Sequence, residues 1–136
     1  MSYGAASALQ QAVYQRLIAD TALGNLVGAH IYDALPPGSL PALYVSLGPE
    51  SVRDGSSASG GGARHEFVIS IVADASGFQT AKDVAAAISD ALVDAPLTLA
   101  RGALIGLWFL RAKAARFDND SARRIDLTFR AQVDGL

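Results

Sequence analysis

The 136-residue chain contains no cysteine. Disulfides, thiolate metal sites and thiol nucleophiles are therefore excluded. Histidine is nearly as scarce: His30 and His65 are the only two, and no carboxylate or second histidine stands at metal-ligand spacing around either. That pattern offers nothing to zinc or iron. No apolar run approaches the ~18 residues a membrane-spanning helix needs. Met1–Gln11 has no basic stretch leading into an apolar one, so a signal peptide is not expected and synthesis in the cytoplasm is. Charged residues make up 18% of the chain and sum to −2. Such a balance does not describe a dedicated nucleic-acid binder.

Catalytic arrangements are missing as well. Serines cluster within 56–59, but no nucleophile elbow and no placed base accompany them. Gly60-Gly61-Gly62 is followed by neither Lys-Ser nor Lys-Thr, and by a strand pattern where a phosphate cradle needs a helix. Asp118 and Asp120 flank Asn119 without the downstream glutamate and the six or so oxygens of a calcium loop, and read as a hairpin turn. No catalytic residue, metal or cofactor is expected, and the chain does not read as an enzyme.

What the chain has is apolar residues and a polar interruption. Hydrophobic residues make up 51% and mean hydropathy is +0.27, much of it from alanine. A single domain, 1–136, of this size buries about two-thirds of its unfolded surface. Between two strand patterns lies Arg53–Ala63, in which seven of the eight residues Gly55–Gly62 are Gly or Ser. Such a stretch buries too little to offset its ordering entropy, so 53–63 is expected to be a mobile loop that orders against a partner.

Around that tether the periodicities alternate between helix and strand. Ala5–Ala19 reads as an amphipathic helix with Leu9, Val13 and Leu17 in one row. Asp20 caps a short turn, Thr21–Leu26, that Gly28 ends. Ile31–Leu35 and Ala42–Gly48 read as strands. In Arg64–Ala73, His65, Phe67, Ile69, Ile71 and Ala73 share one face, with His65 expected to be partly buried. Ser76 opens a second helix to about Val93, with Ala81, Val84, Ile88, Ala91 and Leu92 as its stripe. Ala103–Phe117 and Arg123–Val133 form a closing hairpin in which Ile125, Leu127, Phe129, Ala131 and Val133 face inward. The order α-β-β-β-α-β-β predicts an α+β fold: a largely antiparallel, mixed sheet with two helices on one face.

Charge is spread unevenly over this frame. Residues 1–60 carry two basic side chains against four acids, whereas 101–130 carry seven against three. The hairpin concentrates Arg111, Lys113 and Arg116 on one strand and Arg124 and Arg130 on the other, with Asp126 among them. In a strand, Arg111 and Lys113 share a face and Arg116 takes the opposite one. Clustered cations suit an interface or a polyanion path, and Asp126 among them argues for salt bridges between subunits. Trp108 and Phe109 are adjacent, so one ring must leave the packed face, and an exposed large aromatic marks an interface. The interface candidates are therefore Arg53, Asp54, Gly55, Ser56, Ser57, Gly60, Gly61, Gly62 and Arg64 at the tether, with Trp108, Arg111, Lys113, Arg116, Arg124, Asp126 and Arg130 on the hairpin.

An ordered series of segments carries a resemblance. It runs from the opening helix into Leu26-Val27-Gly28, through Ile31-Tyr32-Asp33-Ala34 with Pro36, to Pro41-Ala42-Leu43-Tyr44-Val45-Ser46-Leu47-Gly48. It continues through the Gly-rich gap before His65, the helix Ala81–Leu92, Arg116-Phe117-Asp118 and Phe129-Arg130-Ala131. Together these resemble the tail-completion or tail-terminator proteins of long-tailed phages and phage-like gene transfer agents, with a departure at Ala73-Asp74, where an aromatic-Ser pair is common. The resemblance implies a virion structural protein: a hexameric homo-oligomeric ring at the tail–neck junction that caps the tail tube, stops its growth and joins it to the neck. Its partners would be the tail-tube protein and a neck or connector protein, with DNA passing through without sequence recognition and no membrane involved. The alternatives are another neck or head–tail connector subunit, or a small enzyme or ligand-binding module.

Overall fold

A computed structural model describes residues 3–55, 61–74, 78–117 and 121–135. Its elements run α1 (Ala6–Ala19), α2 (Thr21–Val27), β1 (Ile31–Tyr32), β2 (Leu43–Asp54), β3 (Gly62–Asp74), α3 (Phe78–Leu92), β4 (Ala103–Phe117) and β5 (Ala122–Asp134). The five strands form one mixed sheet in the order β1-β2-β3-β5-β4, parallel only between β1 and β2. The fold is α+β, as the alternating periodicities imply. The element order differs from expectation by one helix.

That helix is α2. Asp20 leaves α1 in extended geometry, and its carboxylate accepts the Leu23 N–H at 2.9 Å. The cap satisfies one of the first-turn donors that have no partner inside a helix. Gly28 then ends the element at φ +60. Leu23 and Val27 are buried by this turn of chain. Seven residues are too few to hold a helix in water, so packing rather than propensity sustains it.

Two strand boundaries also moved. The strand expected over Ile31–Leu35 stops at Tyr32, because the chain then enters Pro36-Pro37, whose nitrogens cannot donate to a ladder. β2 does not end at Gly48 but continues to Asp54. A register shift between Leu47 and Glu50 takes up Gly48 and Pro49, so the proline interrupts pairing with β3 without ending it. A Cβ on Gly48 would stand 3.1 Å from the Val68 carbonyl, which explains the residue type there.

One core lies between the sheet and the helices. Inward residues of β3 and β5 pair across the ladder as Ile71 with Ile125, Ile69 with Leu127 and Phe67 with Phe129. Against them pack Leu9, Val13 and Leu17 of α1 and Val84, Ile88 and Leu92 of α3, all members of the same buried cluster. The Phe67 and Phe129 rings stack at 5.7 Å, and Phe109 of β4 meets Phe129 edge-on at 6.0 Å. Arg16 fastens α1 to the end of α3 by donating to the Ala91 carbonyl at 3.0 Å. That carbonyl belongs to the last turn, where helical partners run out.

His65 is fully buried, where the alternating pattern implied only partial cover. It stands on the inward face between Val52 and Ala131. Its Nδ1 lies 3.4 Å from Glu50 Oε2, while Nε2 has no partner among the described residues. Glu50 in turn accepts the Tyr3 hydroxyl at 2.8 Å, so the amino-terminal segment, the β2 bulge and the start of β3 are joined through one carboxylate.

Candidate functional site

Among the described residues no helix packs on the other face of the sheet, and period two puts most polar residues of β3, β4 and β5 there. Register assigns them to rows. Arg64 of β3 pairs with Arg53 on one side and Gln132 on the other; Glu66 pairs with Arg130, and Arg130 with Trp108. Further along, Thr128 faces Val68 and Arg111, and Asp126 faces Ser70 and Lys113. Arg111, Lys113, Arg124, Asp126 and Arg130 thus share this face with Arg53, Arg64 and Trp108. Arg116 does not: it pairs with Arg123, on the helix side, where the Arg123 guanidinium lies 5.5 Å from the Phe78 ring. The expected split of Arg111 and Lys113 from Arg116 agrees with this register. Asp54 also leaves the group, pairing with Ala63 on the inward side.

The carboxylates of the polar face are engaged within the chain. Asp126 Oδ1 receives Arg124 Nε at 2.9 Å and the Ser70 hydroxyl at 2.6 Å, and Arg124 also donates to Ser70 Oγ at 3.2 Å. Glu66 lies 3.4 Å from Arg130 and 3.8 Å from Arg53. Asp126, expected to pair with a neighbouring subunit, thus has two partners inside its own chain, Ser70 and Arg124, and keeps part of its carboxylate exposed. Arg64, Arg111 and Lys113 have no ion pair among the described residues. The uncompensated charge therefore concentrates on β4, the edge strand.

Trp108 and Phe109 straddle that edge. Trp108 projects onto the polar face with 44% of its surface exposed and Phe109 onto the helix side with 43%. The indole lies against Gly106: a Cβ there would come within 2.6 Å of Trp108 Cη2. A side chain at 106 would displace that ring, whereas the backbone there does not demand glycine. Two register shifts, between Leu104 and Gly106 and between Phe109 and Arg111, bend β4 here, and Ile105 at the first is 59% exposed.

At the base of the tether the glycines have a structural duty that a flexible reading does not supply. Within the expected loop 53–63, Arg53, Asp54 and Ala63 are paired between β2 and β3, and Gly62 pairs with Asp134 of β5. Gly55 N–H donates to the Gly62 carbonyl at 3.1 Å. Gln132 Nε2 reaches across from β5 to the Gly55 carbonyl at 3.0 Å and to Asp134 at 2.8 Å. A Cβ on Gly62 would meet Gln132 Nε2 at 2.8 Å, and one on Gly55 would meet the same amide at 2.9 Å. Gly61 is exposed and open. The candidate residues Ser56, Ser57 and Gly60, like Ser76 and Asp118–Asp120, lie outside the described residues.

Sequence reasoning missed the second polar constellation, Tyr3–Glu50–His65, and the exposed aliphatics Leu35 and Leu40 on the connection from β1 to β2. The three prolines that flank those leucines, Pro36, Pro37 and Pro41, were a usable signal. They stiffen a segment that a merely flexible linker would leave loose.

Comparison with known proteins gives the family. One similar solved chain, described as "Virion of native gene transfer agent (GTA) particle", is 62% identical, with 98% of this chain and 100% of that one covered at a TM-score of 0.93. A second solved chain covers 100% of this chain and 98% of its own length at a TM-score of 0.59, but at 16% identity it speaks to the fold alone. No match was found among curated proteins. The family described as "Tail completion protein gp17" matches residues 11–134. With nearly the whole chain inside that match, this protein belongs to the tail completion protein gp17 family.

Proposed function

We propose that this chain is the subunit of a hexameric ring that caps the tail tube of a gene transfer agent particle, ends tube growth and joins the tail to the neck. The observation that carries the reading is the 62% identity, over 98% of this chain, to a chain from a native gene transfer agent virion. The geometry supports a structural role. The chain presents an uncovered polar sheet face, a basic edge strand and exposed rings, features that suit contact between proteins. The mechanism is steric and cooperative. A ring that matches the last layer of the tube covers its open end, offers a different surface to the neck, and lets DNA pass without reading its sequence. Contacts of the head-to-tail kind close into a ring when the rotation between copies permits it.

The test is to remove the protein during particle production and image what assembles. The expected outcome is tails of uncontrolled length and heads without tails. Tails of normal length joined to heads in its absence would overturn the reading, and labelled protein found elsewhere on the particle would reassign it to another neck position.

A further inference from the structure

The two edges of the sheet differ in a complementary way. At one edge stands β4, which carries Arg111, Lys113 and Arg116, no acid, and the exposed Ile105, Trp108 and Phe109. At the other stands β1, covering only Val45 and Ser46 of β2, so that from Leu47 to Asp54 β2 has no neighbouring strand on that side among the described residues. Because β1 and β2 are parallel, the connection of residues 33–42 returns from the end of β1 at this edge to the start of β2. It exposes Leu35 by 52% and Leu40 by 39%, and prolines hold it stiff. Residues 31–54 contain the acids Asp33, Glu50 and Asp54 against the single cation Arg53; Glu50 is held by Tyr3 and His65, Asp54 stands on the inward side, and Asp33 accepts from Gln10 of α1.

We propose that the β4 edge of one copy docks against the β1–β2 edge of the next, with Trp108, Phe109 and Ile105 covering Leu35 and Leu40, and Arg111 and Lys113 facing Asp33. The inference rests on the ring reading above and assigns the surface that builds it. Three observations fix the occupant as a second copy. Apolar side chains are exposed at both edges, each edge carries the opposite charge, and the two edges lie on opposite sides of one sheet, the arrangement a head-to-tail ring requires. Trp108 and Phe109 lie on opposite faces of β4, so a partner lying on one face covers one ring, whereas a partner at the edge covers both. The contact is made by side chains and not by a continued backbone ladder. Pro49 and the bulge beside it interrupt one edge, and two bulges with Lys and Arg interrupt the other, the devices that stop open strands from pairing without limit.

The absence of cysteine allows a direct test. In particles assembled with the Ile105→Cys, Leu35→Cys double variant, a short bismaleimide is added and the covalent products are sized, while averaged images of the tail end show whether a ring is present. Four strand spacings, about 19 Å, separate the two edges within one chain, so the short linker cannot join them internally. A ladder of covalent multiples, with each single variant silent, is the expected result. A visible ring with monomers only would overturn the edge contact and leave the ring standing. Dimers from a single variant would show like edges meeting about a two-fold axis, again overturning it. No ring in the images would remove the ring reading and this proposal with it. The pair Trp108→Cys, Leu40→Cys repeats the test should the first variant fail to enter particles, and protection of the β4 edge by added DNA instead of by a neighbouring copy would make that edge a polyanion path.

Discussion

At the scale of single residues, the outer sheet face shows how packing decides which charges are available. Asp126 stands among cations in the sequence, but Ser70 and Arg124 already hold its carboxylate. Asp126→Lys removes both bonds and places a cation beside Arg124 and opposite Lys113. The isolated chain should lose about 1 kcal/mol, a value kept small by the partial exposure of the pair. Urea unfolding checks it, and unchanged stability would show that the two bonds inside the chain contribute nothing to the fold. Gly106 is the second case. Its missing side chain makes room for the indole of the chain's one tryptophan. Gly106→Ala should lift that ring off the strand and shift its fluorescence to the red while the chain stays folded. Unshifted emission would mean that the strand gives way and the ring does not.

Among elements, α3 and β5 hold the molecule together, since each packs on the other and both join the cluster that α1 closes from outside. Ile88 is the middle of the α3 stripe, and Phe129 links Phe67 and Phe109 across three strands. Truncating either to alanine should cost about 2–5 kcal/mol, because each is fully buried and leaves a cavity. A loss under about 1 kcal/mol in denaturant titration would show that the site collapses around the smaller side chain. The neck of the β2–β3 hairpin is an element property too. Gln132 and Asp134 of β5 lie against Gly55 and Gly62, so a side chain at either position would have to displace hydrogen-bonded groups of a third strand.

On the scale of the whole molecule, the two faces and two edges of the sheet differ in what they present. One face holds the helices, the other is polar, one edge is basic with exposed rings and the other is acidic with exposed leucines. The loop between β2 and β3 is proposed as a further point of contact, and its deletion tests that. Removing 57–60, which spares the packed Gly55 and Gly62, should leave thermal unfolding of the free chain within about 0.5 kcal/mol, as for surface changes generally. Particle yield should fall. Full yield of complete particles from the shortened chain would show that the loop has no partner.

Local periodicity carried most of this architecture. Leu9, Val13 and Leu17, the stripe Val84, Ile88 and Leu92, and the alternating strands β3, β4 and β5 could all be placed from spacing alone, because a helix or a half-buried strand must repeat its apolar residues at its own period. Absences were legible in the same way: without cysteine, the chemistry of thiols is gone whatever the fold. Tertiary structure decided what spacing cannot express. It made Thr21–Val27 a helix by burying Leu23 and Val27, and it carried β2 past Pro49 through a bulge that only pairing with β3 defines. It also set the strand order that places β4 and β1 at opposite edges. Which cations find a carboxylate across strands depends on register between residues far apart in the chain, such as Glu66 and Arg130. Sequence spacing fixes the face on which a side chain stands, and only the assembled sheet fixes what stands beside it.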